Sequence, residues 1–522
     1  MEIVGQAGRI ACRYWPSKQN CFGLREADLG SRVQHYNRPP DAWRPVYSIH
    51  RRFLWASARD FFGTKAASGG GFRSLPEHGV AFRCLWPSVG LHWICDLLVL
   101  RSRPSSTPPV SMSTPTVEHQ DAPEAVEAVP LPESRRLFFV DNLRVFIIMC
   151  VLSHHAGNPY ASNDFWYYKT DPSQISGMVA RVIMLNPSFT MAILLIFSGY
   201  LVPPSYDRRP FWIYVREKFI RLGIPLVIGG MIMLPLLQYY SFHQHWGYTG
   251  YDSFWQYYWQ AWHGMGEMPE GWNGPGWPDR NLSHLWYIEH LLVYALCYGI
   301  WRKFFCKPGE SIRTPKPPPG NWAIFGFAVF ISLITFAVRI FCPYNKVYAL
   351  FGVLQIDMSH FPQWLPFFFV GLAAYRYDWL NQLPASTGRL WLSVAVGLAA
   401  FNFVVPFSTE FWIAAHSAGF TFPNFFKSVW ESFFCVGAAV GLISLFHQKL
   451  NWSTKLLTLL AASAYAVHVF HPPMIVAWQF ILGHVQLPTF VKFVIATLAG
   501  IVTCFAVAHF IIRRLPFAKR VL

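Results

Sequence analysis

Arg144 and His155 stand eleven positions apart in an otherwise almost wholly apolar stretch, LFFVDNLRVFIIMCVLSHHAGNPY over 137–160. A guanidinium is a permanent cation suited to phosphates and carboxylates, and an imidazole exchanges a proton near neutral pH. At 100° per residue, eleven helical steps return to within about 20° of the start, roughly 16 Å further along the axis. Asp141 lies about 40° off that stripe, whereas His154 points about 80° away. A charge inside a membrane span is costly and faces the protein interior or a wet cavity. One face of this helix therefore carries Asp141, Arg144 and His155 inward. A snorkelling arginine and a hydrogen-bonded core histidine would explain each residue singly, but not their shared stripe.

The elements that position these groups follow from composition. Of 522 residues, 53% are hydrophobic, 18% aromatic and only 13% charged. With a mean hydropathy of +0.26, this is the profile of an all-α, polytopic membrane helix bundle. The formal net charge of +16 does not make the chain a nucleic-acid binder. About half of it comes from residues 1–111, with fifteen Lys/Arg against seven Asp/Glu, and most of the rest sits in short loops. The ten cysteines are scattered and include no CxxC, which argues against a disulfide framework.

About ten spans are expected, near 137–157, 176–201, 219–240, 284–301, 321–341, 360–376, 389–407, 428–446, 456–480 and 489–512. Residues 1–111 lack periodicity and read as a disordered or non-native extension, with 112–135 an acidic cytosolic tail and 516–522 a short C-terminal tail. Loops after the even-numbered spans carry Arg208, Arg209, Arg216, Lys218 and Arg221, then Arg302, Lys303, Lys307, Arg313 and Lys316, and later further basic residues. The alternate loops hold about one each: Lys169, Arg280, Lys346 and Lys427. By the positive-inside rule both termini are cytosolic, and the aromatic connection 241–283 faces outward. A bacterial inner membrane and a eukaryotic endomembrane both fit.

Six segments follow one another in order: DNLRVFIIMCVLSHHA, LLIFSGYLVPPSY, REKFIRLGIPL, HLWYIEHLLVY, FFFVGLAAYR and SAYAVHVFHPP. Together they resemble the acyltransferase-3 family of integral-membrane O-acyltransferases over about 136–515. The resemblance implies transfer of an acetyl or similar group from a cytosolic acyl-CoA to a hydroxyl of a glycan, a lipid-linked sugar or a small molecule. It implies acyl-CoA as a donor substrate, no tightly bound cofactor, no metal, and the lipid bilayer as environment.

The chemistry such a transfer needs can be assigned to residues. An alcohol is a poor nucleophile at neutral pH, so a base must take its proton, and His155 is the candidate. Glu289 is a second catalytic candidate, orienting that base or binding the acceptor. Arg144 lies where CoA phosphates would arrive, too far from His155 to polarise it directly. Ser198, Gly199 and Tyr200 can offer hydrogen bonds and close backbone approach to the donor; an ordinary helix terminus is the alternative. Arg216 and Arg221 fit the family's basic motif and can hold phosphates, although a topogenic or lipid-binding role is equally open. Asp141, His284, Trp286 and His471 are expected in acceptor-binding or supporting roles. His468 stands where the family usually has tyrosine. The competing reading is a transporter or flippase of a glycan or small solute, since polar groups inside a bundle also suit passage.

Overall fold

The structure is a computed structural model, and it describes residues 137–161, 166–241, 251–268, 277–306, 313–344, 347–350 and 354–521. The expected segments 1–111 and 112–135 lie outside the described residues. Helices occupy all ten expected positions: α1 (Phe138–Gly157), α2 (Gly177–Asp207), α3 (Phe211–Ser241), α4 (Trp286–Phe305), α5 (Asn321–Arg339), α6 (Phe361–Tyr377), α7 (Ala385–Val404), the short α8 (Thr409–His416), α9 (Phe422–Lys449), the pair α10 (Lys455–Phe470) and α11 (Pro472–Gly483), and α12 (Thr489–Phe510). Among the described residues, seven helices are long and apolar enough to cross a bilayer, or eight if α10 and α11 make one span. The tenfold count therefore rests on α4, polar at both ends, and α6, with 17 residues.

The ninth expected span, 456–480, is not one continuous helix. It breaks at His471 and bends by 74°. Pro472 and Pro473 are the cause: each lacks an N–H, and each ring collides with the carbonyl four residues before it. Pro472 then serves as the first residue of α11, where a missing N–H costs nothing.

α2 is the axis of the bundle, in contact with α1, α6 and α9. It meets α6 where Gly199 faces Gly371. A side chain on Gly199 would collide with the Phe368 carbonyl, and one on Gly371 with the Ile196 carbonyl. Small residues that let two backbones touch are the usual means of helix association in lipid, where no hydrophobic force drives it.

Between α5 and α6 the chain forms an antiparallel hairpin, β1 (Val347–Leu350) and β2 (Leu354–Asp357), in register from Val347 opposite Asp357 to Leu350 opposite Leu354. Gln355 of β2 fastens this hairpin to the start of α4. Its N–H donates to Glu289 Oε2 (3.0 Å), its carbonyl meets His290 Nε2 (2.8 Å), its amide donates to the Arg280 carbonyl (2.6 Å), and its amide oxygen accepts from Leu282 N–H (2.9 Å).

In the aromatic connection before α4, Tyr257 and Trp262 are fully buried, whereas Trp255 and Trp259 are exposed. Tyr257 donates to Asp279 Oδ2 at 2.6 Å. Burial pushes the Asp279 carboxyl up to about 7, against the hydrogen bonds from Tyr257 and Gln238. One loop charge was misjudged by sequence: Lys427 is not in a connection but inside α9, 1% exposed. The helix starts at Phe422, earlier than the apolar run suggests, because Thr421 caps it and Glu431 one turn on neutralises the lysine.

Candidate functional site

Both ends of the stripe on α1 meet the broken helix. Arg144 donates to the Ala461 carbonyl of α10 at 3.2 Å and pairs with Asp141 at 3.1 Å. Three turns on, the His155 ring lies 5.0 Å from that of His471, at the break between α10 and α11. His154 turns the other way and meets the Ile183 carbonyl of α2 at 3.0 Å.

His155 is held on several sides. The Trp166 ring stacks on it at 4.7 Å, 17° from parallel. Trp166 Nε1 donates to Gln479 Oε1 at 2.7 Å, and the Gln479 amide donates to the His155 carbonyl at 2.9 Å. α11 thus fixes both the ring's stacking partner and its backbone. Asn158, one turn on, sits 3.3 Å from His155 Nδ1 through its amide nitrogen, and its oxygen is buried without a partner among the described residues. The reverse orientation of that amide puts the oxygen on a protonated Nδ1 and leaves Nε2 with its lone pair free.

Around His155 the protein gathers imidazoles. His284 and His471 are 4.6 Å apart, His284 and His155 6.3 Å, and His284 and His468 5.9 Å, ring to ring. His284, His468 and His471 are each buried. His284 Nε2 meets the Val469 carbonyl at 2.9 Å, and His471 Nδ1 the His468 carbonyl at 2.9 Å. Those carbonyls are available because the break in the helix removes the downstream N–H groups that would have taken them.

From the imidazoles a line of polar groups runs back toward Arg144. His468 packs edge-on against Tyr287 of α4 at 5.4 Å, and the Tyr287 hydroxyl lies 2.6 Å from Ser198 Oγ. Tyr287 is also 3.2 Å from the Leu194 carbonyl. A phenol has one proton, so when it goes to that carbonyl, Ser198 is the donor to Tyr287. Arg144 is within electrostatic reach of Tyr287. Tyr465 of α10 donates to the Arg221 carbonyl at 2.6 Å and lies within reach of both Tyr287 and the Arg221 guanidinium. Ser198 and the Arg221 carbonyl, far apart in sequence, thus hydrogen-bond to one pair of tyrosines, while the Arg221 side chain itself is exposed.

Other expected site residues lie elsewhere. Gly199 is taken up by the crossing with α6, and Tyr200 packs edge-on against Tyr375 of the same helix at 5.5 Å. Arg216 is exposed on α3. The turn before α4 and its first residues divide: His284 and Tyr287 lie among the imidazoles, while Glu289 and His290 meet the hairpin and Trp286 meets α6. Trp286 stacks on Trp364 at 4.9 Å, and Glu289 accepts from Gln355 N–H. The expected pairing of Glu289 with His155 gives way to that backbone hydrogen bond. Trp166, Gln479, Asn158, Tyr287 and Tyr465 escaped sequence reasoning. Of these, Asn158 at three residues from His155, Tyr287 at three from His284 and Tyr465 at three from His468 carry a local signal.

A second buried polar cluster has a different character. Arg339 of α5 pairs with Glu431 of α9 at 2.7 Å, and Lys427 reaches the same carboxylate at 3.3 Å. Arg339 also donates to the Ser359 carbonyl, and Lys427 meets His416 Nε2 at 2.8 Å and lies 3.7 Å above the Tyr344 ring. Among the described residues, no group of three His, Cys, Asp or Glu is arranged to hold a metal ion.

Comparison with known proteins adds to this geometry. A family model described as "Acyltransferase domain" matches residues 137–509. The chain is 24% identical over 279 residues to "Glucans biosynthesis protein C" of Shigella dysenteriae serotype 1, and 25% identical over 281 residues to the protein of that name from Escherichia coli strain SMS-3-5. Each alignment covers 52% of this chain and 66% of the relative, a little under two thirds of its length. No solved structure matches the chain.

Proposed function

The chain belongs to this acyltransferase-3 family, and from that premise we propose that it moves an acyl group from acyl-CoA to a hydroxyl of a carbohydrate or small-molecule acceptor, with His155 as general base. The observation that carries the reading is the run of polar groups from Ser198 and Tyr287 to the imidazoles around His155, with Arg144 on the same α1 stripe and within electrostatic reach of Tyr287. A donor with its phosphates at Arg144 has its thioester deeper in the bundle. The roughly 16 Å between Arg144 and His155 suits a long, thin substrate with one charged end.

In this mechanism the acceptor hydroxyl gives its proton to His155 as its oxygen attacks the thioester carbon. The carbon–sulfur bond breaks, the ester forms, and the proton passes to the departing thiolate. Stacking on Trp166 keeps the ring from turning, and Asn158, with its amide turned so that Oδ1 faces Nδ1–H, keeps the lone pair on Nε2, the tautomer a base requires. Tyr287 and Ser198 are the hydroxyls nearest the donor's path, suited to hydrogen-bond a carbonyl that gains negative charge. The names of the relatives favour a glucan as acceptor.

With both termini cytosolic, the donor enters from the cytosol and the acceptor from the far side. Acyl transfer from labelled acetyl-CoA by the purified protein in nanodiscs, offered glucan and small-alcohol acceptors, is the test. Labelled ester with wild type and none with His155→Ala is expected; wild type without ester would refute the reading. A cysteine at Thr249, labelled only from the far side in sealed vesicles, checks the orientation, and labelling from the cytosolic side would invert it. The transporter alternative has one observation in its favour, the broken helix at His471, a device solute carriers also use. Passage of unmodified acceptor without ester formation would decide for it.

A further inference from the structure

We propose that His284 Nδ1, His471 Nε2 and the ring of His468 form a subsite that accepts a hydrogen bond from the hydroxyl next to the one that reacts at His155, so that the acceptor is a vicinal diol rather than a lone alcohol. This rests on the acyltransferase reading above and specifies its acceptor.

The argument is one of tautomers. A carbonyl oxygen can only accept, so the ring nitrogen that faces it must carry the proton. His284 Nε2 faces the Val469 carbonyl, and His471 Nδ1 faces the carbonyls of Val467 and His468. In each neutral ring the other nitrogen, His284 Nδ1 or His471 Nε2, is then a lone pair. Both atoms are buried without a partner among the described residues, and so are both nitrogens of His468. The three side chains are 6%, 0% and 4% exposed. Buried polar atoms are almost always answered, so unanswered lone pairs clustered beside a candidate base mark the place of a ligand.

The sign of these groups selects the ligand. Lone pairs repel an oxyanion, so this subsite does not hold the donor's reacting carbonyl. They are also a poor fit for a metal, since the described residues lack a suitable three-ligand grouping. They call for hydrogen-bond donors. With the pinned His471 ring beside that of His155, the hydroxyl that reacts and the hydroxyl that is held must be close together. Hydroxyls on adjacent carbons meet that demand. One goes to His155 for reaction, its ring 5.0 Å from that of His471, while its neighbour is held by the pinned rings. His468, with neither nitrogen fixed to a carbonyl, can serve as acceptor or donor.

Two substitutions remove the lone pairs and keep the backbone contacts. In His284→Gln the amide nitrogen stands in for Nε2 on the Val469 carbonyl; in His471→Asn it stands in for Nδ1. The full-length protein in nanodiscs is offered methyl glucoside and its 2-deoxy and 4-deoxy analogues, with equilibrium binding and acyl transfer measured separately. Wild type should favour the parent over a deoxy analogue by roughly 5- to 150-fold, the worth of one well-placed hydrogen bond. Each variant should lose most of that preference. Variants that keep the wild-type preference, or a wild type without one, would overturn the subsite and leave these lone pairs to water. If a variant does not fold, the wild-type comparison decides alone. Binding preference without any acyl transfer would keep the subsite and sink the enzymatic reading instead.

Discussion

The bundle buries two polar clusters, and they are built on opposite terms. Around Glu431 every charge has an answer: Arg339 and Lys427 flank the carboxylate, Tyr344 donates to it at 3.4 Å, and Ser359, Ser428 and His416 take up remaining donors of the two cations. Around His155 the groups are imidazoles, and ring nitrogens of His284, His468 and His471 remain unanswered within the described chain. A satisfied network fixes a fold, because removing any member leaves a stranded charge. An unsatisfied one is tolerable only where something else binds. The stack of His360 on Trp364 (4.6 Å) and Trp364 on Trp286 (4.9 Å) runs from beside the charged cluster to the start of α4, on the face opposite the imidazoles.

The contrast is sharpest for substitutions that separate chemistry from stability. His155→Ala should lower acyl transfer by about 10²- to 10⁴-fold, the usual contribution of a general base, without lowering the unfolding temperature. A large fall in stability would place His155 with the structural cluster. Glu431→Gln should do the reverse, stranding Arg339 and Lys427 at a cost of about 3–5 kcal/mol. Thermal unfolding in detergent measures this, and transfer per folded molecule should hardly change. A Glu431→Gln protein as stable as wild type would break the comparison from the other side.

Asn158→Ala should have a smaller effect, roughly tenfold on kcat, by letting the His155 tautomers interchange. Asn158→Asp should recover part of the rate, since a carboxylate also accepts from Nδ1–H. Equal loss in both variants would show that the amide acts through packing alone. Deleting residues 1–111 should change least: abundance and product yield should match the full chain, and a substantial loss in either would reveal a contribution from that segment.

What the sequence revealed follows from what is local. The α1 stripe depends only on the turn per residue, and Arg144 and His155 do meet the same partner, α10 with α11. Sequence also placed a helix at each of the ten expected spans, though not the short α8, because apolar runs of spanning length need no tertiary context. The break at His471 was legible in Pro472 and Pro473 but was overridden by the apolar run around them. Lys427 looked like a loop residue because its neutralising carboxylate lies inside the apolar stretch. Trp166 and Gln479 were invisible for a deeper reason: Trp166 lies beyond the end of α1, where helical spacing no longer holds, and no spacing rule connects the distant Gln479 with His155. Glu289 lies one turn from His284, yet the hairpin's Gln355 claims it, a contact that only the folded chain defines.

The central claim is a division of labour along α1, with donor phosphates at Arg144 and proton transfer at His155. Equilibrium binding of a non-hydrolysable acyl-CoA to wild type, Arg144→Ala and His155→Ala tests it most directly. Arg144→Ala should weaken binding by roughly 10- to 150-fold, the loss of a charge-assisted contact, and His155→Ala should bind nearly as wild type. Normal binding by Arg144→Ala together with weak binding by His155→Ala would contradict the account.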